Sequence, residues 1–184
     1  MTAARALAGR RVLELADERG VYCGKLLADM GADVIKIERP GGDATREMPP
    51  FGGDQPHPER GLFFLYTHPS TRGVTLDIRS AVGRGLLERL GESADLVLET
   101  FPPGFLPGLG LGYGSLRELN PRLVLTSITD FGQSGPYRSF KSSDLVASAL
   151  GGSMYVVGEE EDPPVKLAGS QAHMMASTYA AVSS

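Results

Sequence analysis

"RVLELADERGVYCGKLLADMGADVIKIE", residues 11–38, decides the fold. Its first six residues, 11–16, are an apolar run of strand length. Residues 23–31 space their apolar side chains for one face of a short helix that stops at Gly31. Residues 32–38 are rich in β-branched side chains and read as a second strand. Strand, helix and strand in so short a span make a βαβ unit, for which a parallel pair with a right-handed crossover is the expected outcome.

The alternation continues outward from this unit. Residues 73–78 read as a third strand, and 79–94 as an amphipathic helix with Val82, Leu86, Leu87 and Leu90 on one face. Residues 95–99 and 122–128 read as the fourth and fifth strands. The spacing over 143–158 predicts a helix broken at Gly151 and Gly152 and then a short strand. Residues 170–184 read as a helix with Ser170 as N-cap, its apolar face formed by Ala172, Met175, Ala176 and Tyr179, with His173 at the edge. Strands alternating with helices argue for an α/β domain around a mostly parallel sheet flanked by helices. Ligands of such sheets bind beyond the carboxyl ends of the strands, near the point where strand order reverses. Chemistry is therefore sought at 16–20, 38–43, 77–79, 99–104 and 129–135.

Composition narrows the classes. The 184 residues carry 41% hydrophobic and 22% charged side chains, the balance of an ordinary globular domain. A net charge of −4 gives no electrostatic footprint for nucleic acid or an anionic membrane. No run is long and apolar enough for a membrane span, and the N-terminus lacks the features of a secretory signal, so a cytoplasmic protein is expected. The single Cys23 excludes an internal disulfide, and no Cys/His spacing suggests a metal. Cys23 lies near a helix N-terminus, where a thiol pKa tends to fall, but without a partner histidine a packed thiol is the better expectation.

Several loops invite a ligand. Arg39 and Arg46 flank a turn built on Pro40, Gly41 and Gly42, a geometry that suits either phosphate recognition or two solvated charges. The proline- and glycine-rich 99–113 suits close backbone approach, or merely a crossover. Lys141 offers a cation for an anion, and Asp144 either caps the helix that follows or acts chemically. The first strand is followed by neither G-x-G-x-x-G nor G-x-x-x-x-G-K-[ST]. Glu38 stands about where a ribose-binding acid would lie, which keeps an NAD-type oxidoreductase open as an alternative.

Longer motifs add a resemblance that covers essentially the whole chain. "LAGRRVLEL" (7–15), "LLADMGADVIKIERPGGDATR" (26–46), "TRGVTLDI" (71–78), "ADLVLETFPPG" (94–104), "LGLGYGSLRELNPRLVLTSITDFGQSGPY" (109–137), "DLVASALGG" (144–152) and "GSQAHMMASTYAA" (169–181) together resemble the N-terminal half of a family III CoA-transferase. That group includes formyl-CoA, carnitine-related and bile-acid CoA-transferases and the α-methylacyl-CoA racemases. The resemblance implies a Rossmann-like large domain, here incomplete, with residues 1–184 as its N-terminal part and the small domain and C-terminal return segment absent. It also implies coenzyme A as a substrate thioester, acyl-CoA and carboxylic acid substrates, and a homodimer or a partner domain. Arg39 falls where the family meets the CoA nucleotide. Leu76 and Arg79 match positions near its adenine and phosphates. Thr100 and Phe101 stand where an Asn-Phe pair usually lines the CoA site, and Lys141 matches a further occasional contact. An arginine found in some members after "PPG" is replaced here, around Gly108.

The family's aspartate nucleophile, which forms a mixed anhydride and then an enzyme–CoA thioester, lies nine residues after a proline. Counting from Pro164 reaches His173, with the small Ser177 four residues on. Imidazole cannot repeat carboxylate chemistry unchanged, because an acyl-imidazole hydrolyses readily. His173 is therefore expected as a general base, a substrate contact or packing. A racemase would also need a histidine immediately before Asp144, where Ser143 stands. Three expectations follow: a divergent CoA-transferase that uses His173 or a neighbouring group, a degenerate half that binds CoA or pairs with a partner, or an unrelated oxidoreductase. Because the family runs to about twice this length, poor turnover by this chain alone is expected.

Overall fold

In a computed structural model, residues 5–184 are described. The elements in chain order are β1 (Arg11–Leu15), α1 (Val21–Asp29), β2 (Asp33–Glu38), α2 (Leu62–Thr67), β3 (Arg72–Thr75), α3 (Ala81–Gly91), β4 (Leu96–Glu99), α4 (Phe105–Gly108), α5 (Tyr113–Leu119), β5 (Val124–Ser127), α6 (Asp144–Leu150) and α7 (Gln171–Ser183). Short 3-10 turns occupy Ala44–Glu47, Gly52–Asp54 and Ser153–Tyr155. The five strands form one sheet in the order β3-β2-β1-β4-β5, every pair parallel.

Side-chain alternation along the strands explains the layers. Leu13 and Leu15 of β1, Ile37 of β2 and Val97 of β4 turn to one face, where Leu87, Leu106, Leu111 and Leu116 cover them. Val12, Val34, Leu96 and Leu98 turn to the other, against Val21, Cys23, Leu27 and Ala28 of α1, with Ala180 and Ala181 of α7 beyond. Both faces of the central strands are covered, so β4 is buried throughout, as a parallel sheet requires. In α3 the inward side is Gly83, Leu87 and Gly91, while Val82 is 74% exposed. The tight first turn requires glycine at 83, because a Cβ there would stand 1.9 Å from the Asp77 carbonyl.

The strand expected after Gly152 does not form. Gly152 takes a left-handed conformation (φ 81°) into the turn Ser153–Tyr155, and Tyr155 and Val156 project into solvent with no neighbouring strand to pair. Among the described residues no helix is long and apolar enough to cross a membrane.

Candidate functional site

At the carboxyl ends of β1, β2, β3 and β4 the loops enclose a cleft of about 510 Å³. Strand order reverses between β1 and β4, the place where an open parallel sheet leaves room for a ligand. The lining includes Arg39, Leu76, Arg79, Thr100 and Phe101, so five of the six proposed CoA contacts converge from three separate loops. Lys141 does not join them. It is exposed in the loop between β5 and α6, beside an aromatic cluster of Phe131, Tyr137 and Phe140. Sequence matching places a residue along the chain but does not fix where an irregular loop carries it.

Each wall of the cleft is tied down by polar groups. Glu38 accepts the Asp43 backbone N–H (3.0 Å) and a two-pronged contact from Arg46 (2.7 and 2.8 Å). The Arg46 guanidinium lies 3.8 Å over the Phe64 ring and also meets Glu59. Hydrogen bonding to Arg46 holds the Glu38 carboxyl below its ordinary range, against its burial. Arg46 is thus spent on structure, and Glu38 is unavailable to a ribose. Arg39 remains exposed, its Nε donating only to the Gly42 carbonyl at 3.2 Å.

Thr100 is 2% exposed. Its hydroxyl accepts the Asp17 backbone N–H (2.9 Å), and its carbonyl accepts Arg19 Nη2 (2.7 Å). The Phe101 N–H donates to Glu99 (2.6 Å), and the Phe101 ring stacks on Phe105 at 4.5 Å. The Arg79 guanidinium lies over the Phe105 ring, 5.8 Å from its centroid. The loop at 99–113 thus does more than approach with backbone: it carries an aromatic pair into the cleft. Burial pushes the Glu99 carboxyl above its ordinary range, only partly offset by hydrogen bonds from Ser127 and Phe101.

Beneath the cleft lies a charged network that no motif announced. Lys36, 1% exposed at its side chain, sits 3.1 Å from Glu14 Oε1 and 2.9 Å from Asp43 Oδ2, and donates to the Ala16 carbonyl. His68 Nε2 is 3.0 Å from the same Glu14 oxygen. Burial works against the Lys36 ammonium, yet Glu14 and Asp43 outweigh it and raise its pKa. Asp43 is the mirror case: burial favours its neutral form, while Lys36 and the Thr45 hydroxyl and N–H hold it ionised. A signal for this network was present, since Glu14 and Lys36 interrupt apolar strands and pair directly across β1 and β2.

His173 lies outside the cleft lining and is 8% exposed. The apolar side of α7 is turned about from expectation: His173 and Ser177 face inward, while Met175 and Tyr179 are 59% and 68% exposed. At Ser177 α7 meets the polar turn before α1, where the Arg19 carbonyl accepts the Ser177 hydroxyl at 3.0 Å, while Ala180 and Ala181 further along pack beside α1. Ser170 occupies the N-cap position but makes no side-chain bond. Asp144 does that work, accepting the His173 backbone N–H at 3.1 Å while Lys166 Nζ sits 2.8 Å away. Asp144 therefore caps α7 rather than its own helix, whose N-cap is Ser143.

The imidazole has no hydrogen-bond partner on either nitrogen. Nε2 is 3.8 Å from Asp130 Oδ1, beyond hydrogen-bond range. Asp130 in turn is 3.5 Å from Arg19, whose guanidinium grips Asp17 on the cleft wall. Cys23 is fully buried and, through burial and then the nearby Glu14 charge, its thiol is pushed up to about 12, opposite to the lowering a helix N-terminus would give. Among the described residues no group of three or more His, Cys, Asp or Glu side chains is arranged to hold a metal.

Known proteins match this chain closely. The model of CoA-transferase family III matches residues 7–184. The subunit BbsE of succinyl-CoA:(R)-benzylsuccinate CoA-transferase from Thauera aromatica is 42% identical over 95% of this chain and 42% of its own length. A succinate–glutarate CoA-transferase from Agrobacterium fabrum is 41% identical over 94% of this chain and 44% of its own. A CAIB/BAIF family protein from Brucella suis superposes with a TM-score of 0.91 at 38% identity, covering 98% of this chain and 48% of that one. The chain thus spans about half the length of the relatives it matches. Fold, strand order and sequence agree: the chain belongs to CoA-transferase family III.

Proposed function

We propose that this chain supplies the CoA-binding cleft of an enzyme that moves CoA between an acyl-CoA thioester and a carboxylic acid. The observation that carries the reading is the convergence of Arg39, Leu76, Arg79, Thr100 and Phe101 on one cleft at the strand ends. Arg39 meets a phosphate with a guanidinium that makes only one weak internal bond. Leu76, beside Ile37, gives adenine an apolar seat, and Arg79, set over Phe105, faces the phosphates. Thr100 and Phe101 line the path of the pantetheine arm. In the reaction the donor's acyl–sulfur bond breaks, the acceptor's acyl carbon forms the new bond to the CoA sulfur, and the acceptor's lost carboxylate oxygen leaves on the donor acyl group as its free carboxylate. The names of both relatives pair a succinyl or succinate group with a second dicarboxylic acid, which supports dicarboxylic acids and their CoA thioesters as the substrate class.

A second reading is favoured by the burial of His173 and its distance from the cleft lining: this chain binds the carrier while a partner domain or subunit performs the transfer. That the Thauera relative is named as a subunit supports it. One experiment separates the two. Purified chain is incubated with succinyl-CoA and glutarate, and the new thioester is followed by chromatography, with bound CoA measured by calorimetry in parallel. Transfer abolished in His173→Ala, with CoA binding retained, supports a catalytic His173. CoA binding without transfer in the wild type supports the partner reading. No CoA binding at all overturns both.

A further inference from the structure

The charges around the cleft do not suit an anionic ligand at first sight. Its lining holds the carboxylates of Asp17, Glu18, Asp43 and Asp77 against only two guanidinium groups, Arg39 and Arg79. Coenzyme A carries several phosphate charges, and each unmatched carboxylate nearby would repel them. Two cations set behind the walls pair directly with two of these carboxylates, although each also faces a second acid, Lys36 meeting Glu14 at 3.1 Å and Arg19 lying 3.5 Å from Asp130. Lys36 Nζ stands 2.9 Å from Asp43 Oδ2. The Arg19 guanidinium holds both oxygens of Asp17, at 3.0 and 2.6 Å, and ties the same group to the Thr100 carbonyl. Neither Lys36 nor Arg19 is on the cleft lining itself.

Lys36 is built into this place. Its three protons find three acceptors, Glu14, Asp43 and the Ala16 carbonyl. Ala16 ends the β1 wall and Asp43 ends the β2 loop that begins at Arg39, so one ammonium joins the two walls. His68 and Thr67 occupy the far side, with His68 Nε2 on Glu14 Oε1 and Nδ1 on the Thr67 hydroxyl at 2.9 Å. Such a buried lysine costs solvation that a purely structural strand position would avoid with an apolar side chain.

We infer that Lys36 and Arg19 are positioning residues that pair with Asp43 and Asp17 and hold them on the cleft walls, so that a phosphate-bearing carrier meets Arg39 and Arg79 rather than two unpaired acids. The inference rests on the proposed reading of the cleft as a CoA site. Lys36 acts on the ligand only through Asp43 and the loop it anchors, and Arg19 only through Asp17.

The test titrates the full chain with CoA, 3′-dephospho-CoA and pantetheine. Lys36→Met should weaken CoA by about tenfold, dephospho-CoA by less, and pantetheine hardly at all. Adding Asp43→Asn to Lys36→Met should restore CoA affinity, because it removes the charge that Lys36 had matched. An equal loss for all three ligands, or no rescue, would make Lys36 a structural residue and overturn the inference. Should Lys36→Met fail to fold by circular dichroism, Arg19→Met with Asp17→Asn as its rescue carries the same comparison. A wild-type chain that binds none of the three ligands overturns the CoA reading itself. A wild type that binds CoA, with variants lacking the phosphate dependence, overturns only the pairing role of Lys36 and Arg19.

Discussion

The sheet and the C-terminal stretch beyond β5 are built on opposite rules. In the sheet, Leu13 and Leu98 are fully buried, and the two charged side chains buried as deeply, Glu14 and Lys36, are paired with one another. Beyond β5, the buried side chains include Asp144, Ser148, His173 and Ser177, while Leu150, Tyr155, Val156, Tyr179 and Val182 are each at least 68% exposed. The first region is held by apolar area removed from water, the second by caps and hydrogen bonds. Burial of a polar group alone is therefore weak grounds for calling it catalytic: Ser177 of α7 is buried because its hydroxyl bonds the polar turn before α1.

Mutations should expose this contrast. The largest effect belongs to the sheet: Leu98→Ala removes a fully buried side chain and should cost about 2–5 kcal/mol, read by urea denaturation. A cost as small as that of a surface change would break the comparison. Asp144→Ala should cost about 1–2 kcal/mol, since the His173 N–H loses its acceptor and Lys166 its partner. Its pH dependence sharpens the point. Although burial opposes it, Lys166 and the His173 N–H leave the folded-state Asp144 carboxyl below its ordinary range. The stability it gives is therefore complete above the unfolded carboxylate pKa of about 3.9 and is lost as pH falls through the lower folded value. Wild type and Asp144→Ala should differ most near neutrality and converge in acid. The smallest effect belongs to the outer face of α7, where Tyr179→Ser should stay within about 0.5 kcal/mol.

The sheet was legible because periodicity is local. The βαβ unit over 11–38 emerges within two residues of its expected bounds, and the remaining strands follow the same alternation. What sequence missed depended on distant partners. Clustering of Met175 and Tyr179 marks one side of a helix as apolar but cannot say which side meets the protein. Capping by Asp144 reaches 29 positions along the chain, and nothing near Arg19 or Asp130 hinted that they would meet beside the cleft wall. The family resemblance pointed to five residues that line the cleft, while Lys141, carried on an irregular loop, lies outside that lining.

The central claim is that the strand-end cleft receives the carrier. Backbone amide NMR of this 19.5 kDa chain during a CoA titration tests it directly. The account predicts shifts confined to residues 16–18, 39–44, 76–79 and 100–105, with the outer face of α7 left unmoved, as are Tyr113, Val124 and Leu125, which line a second cavity beside β5 and not the cleft. Shifts centred on that second cavity, or none anywhere at saturating CoA, would contradict it.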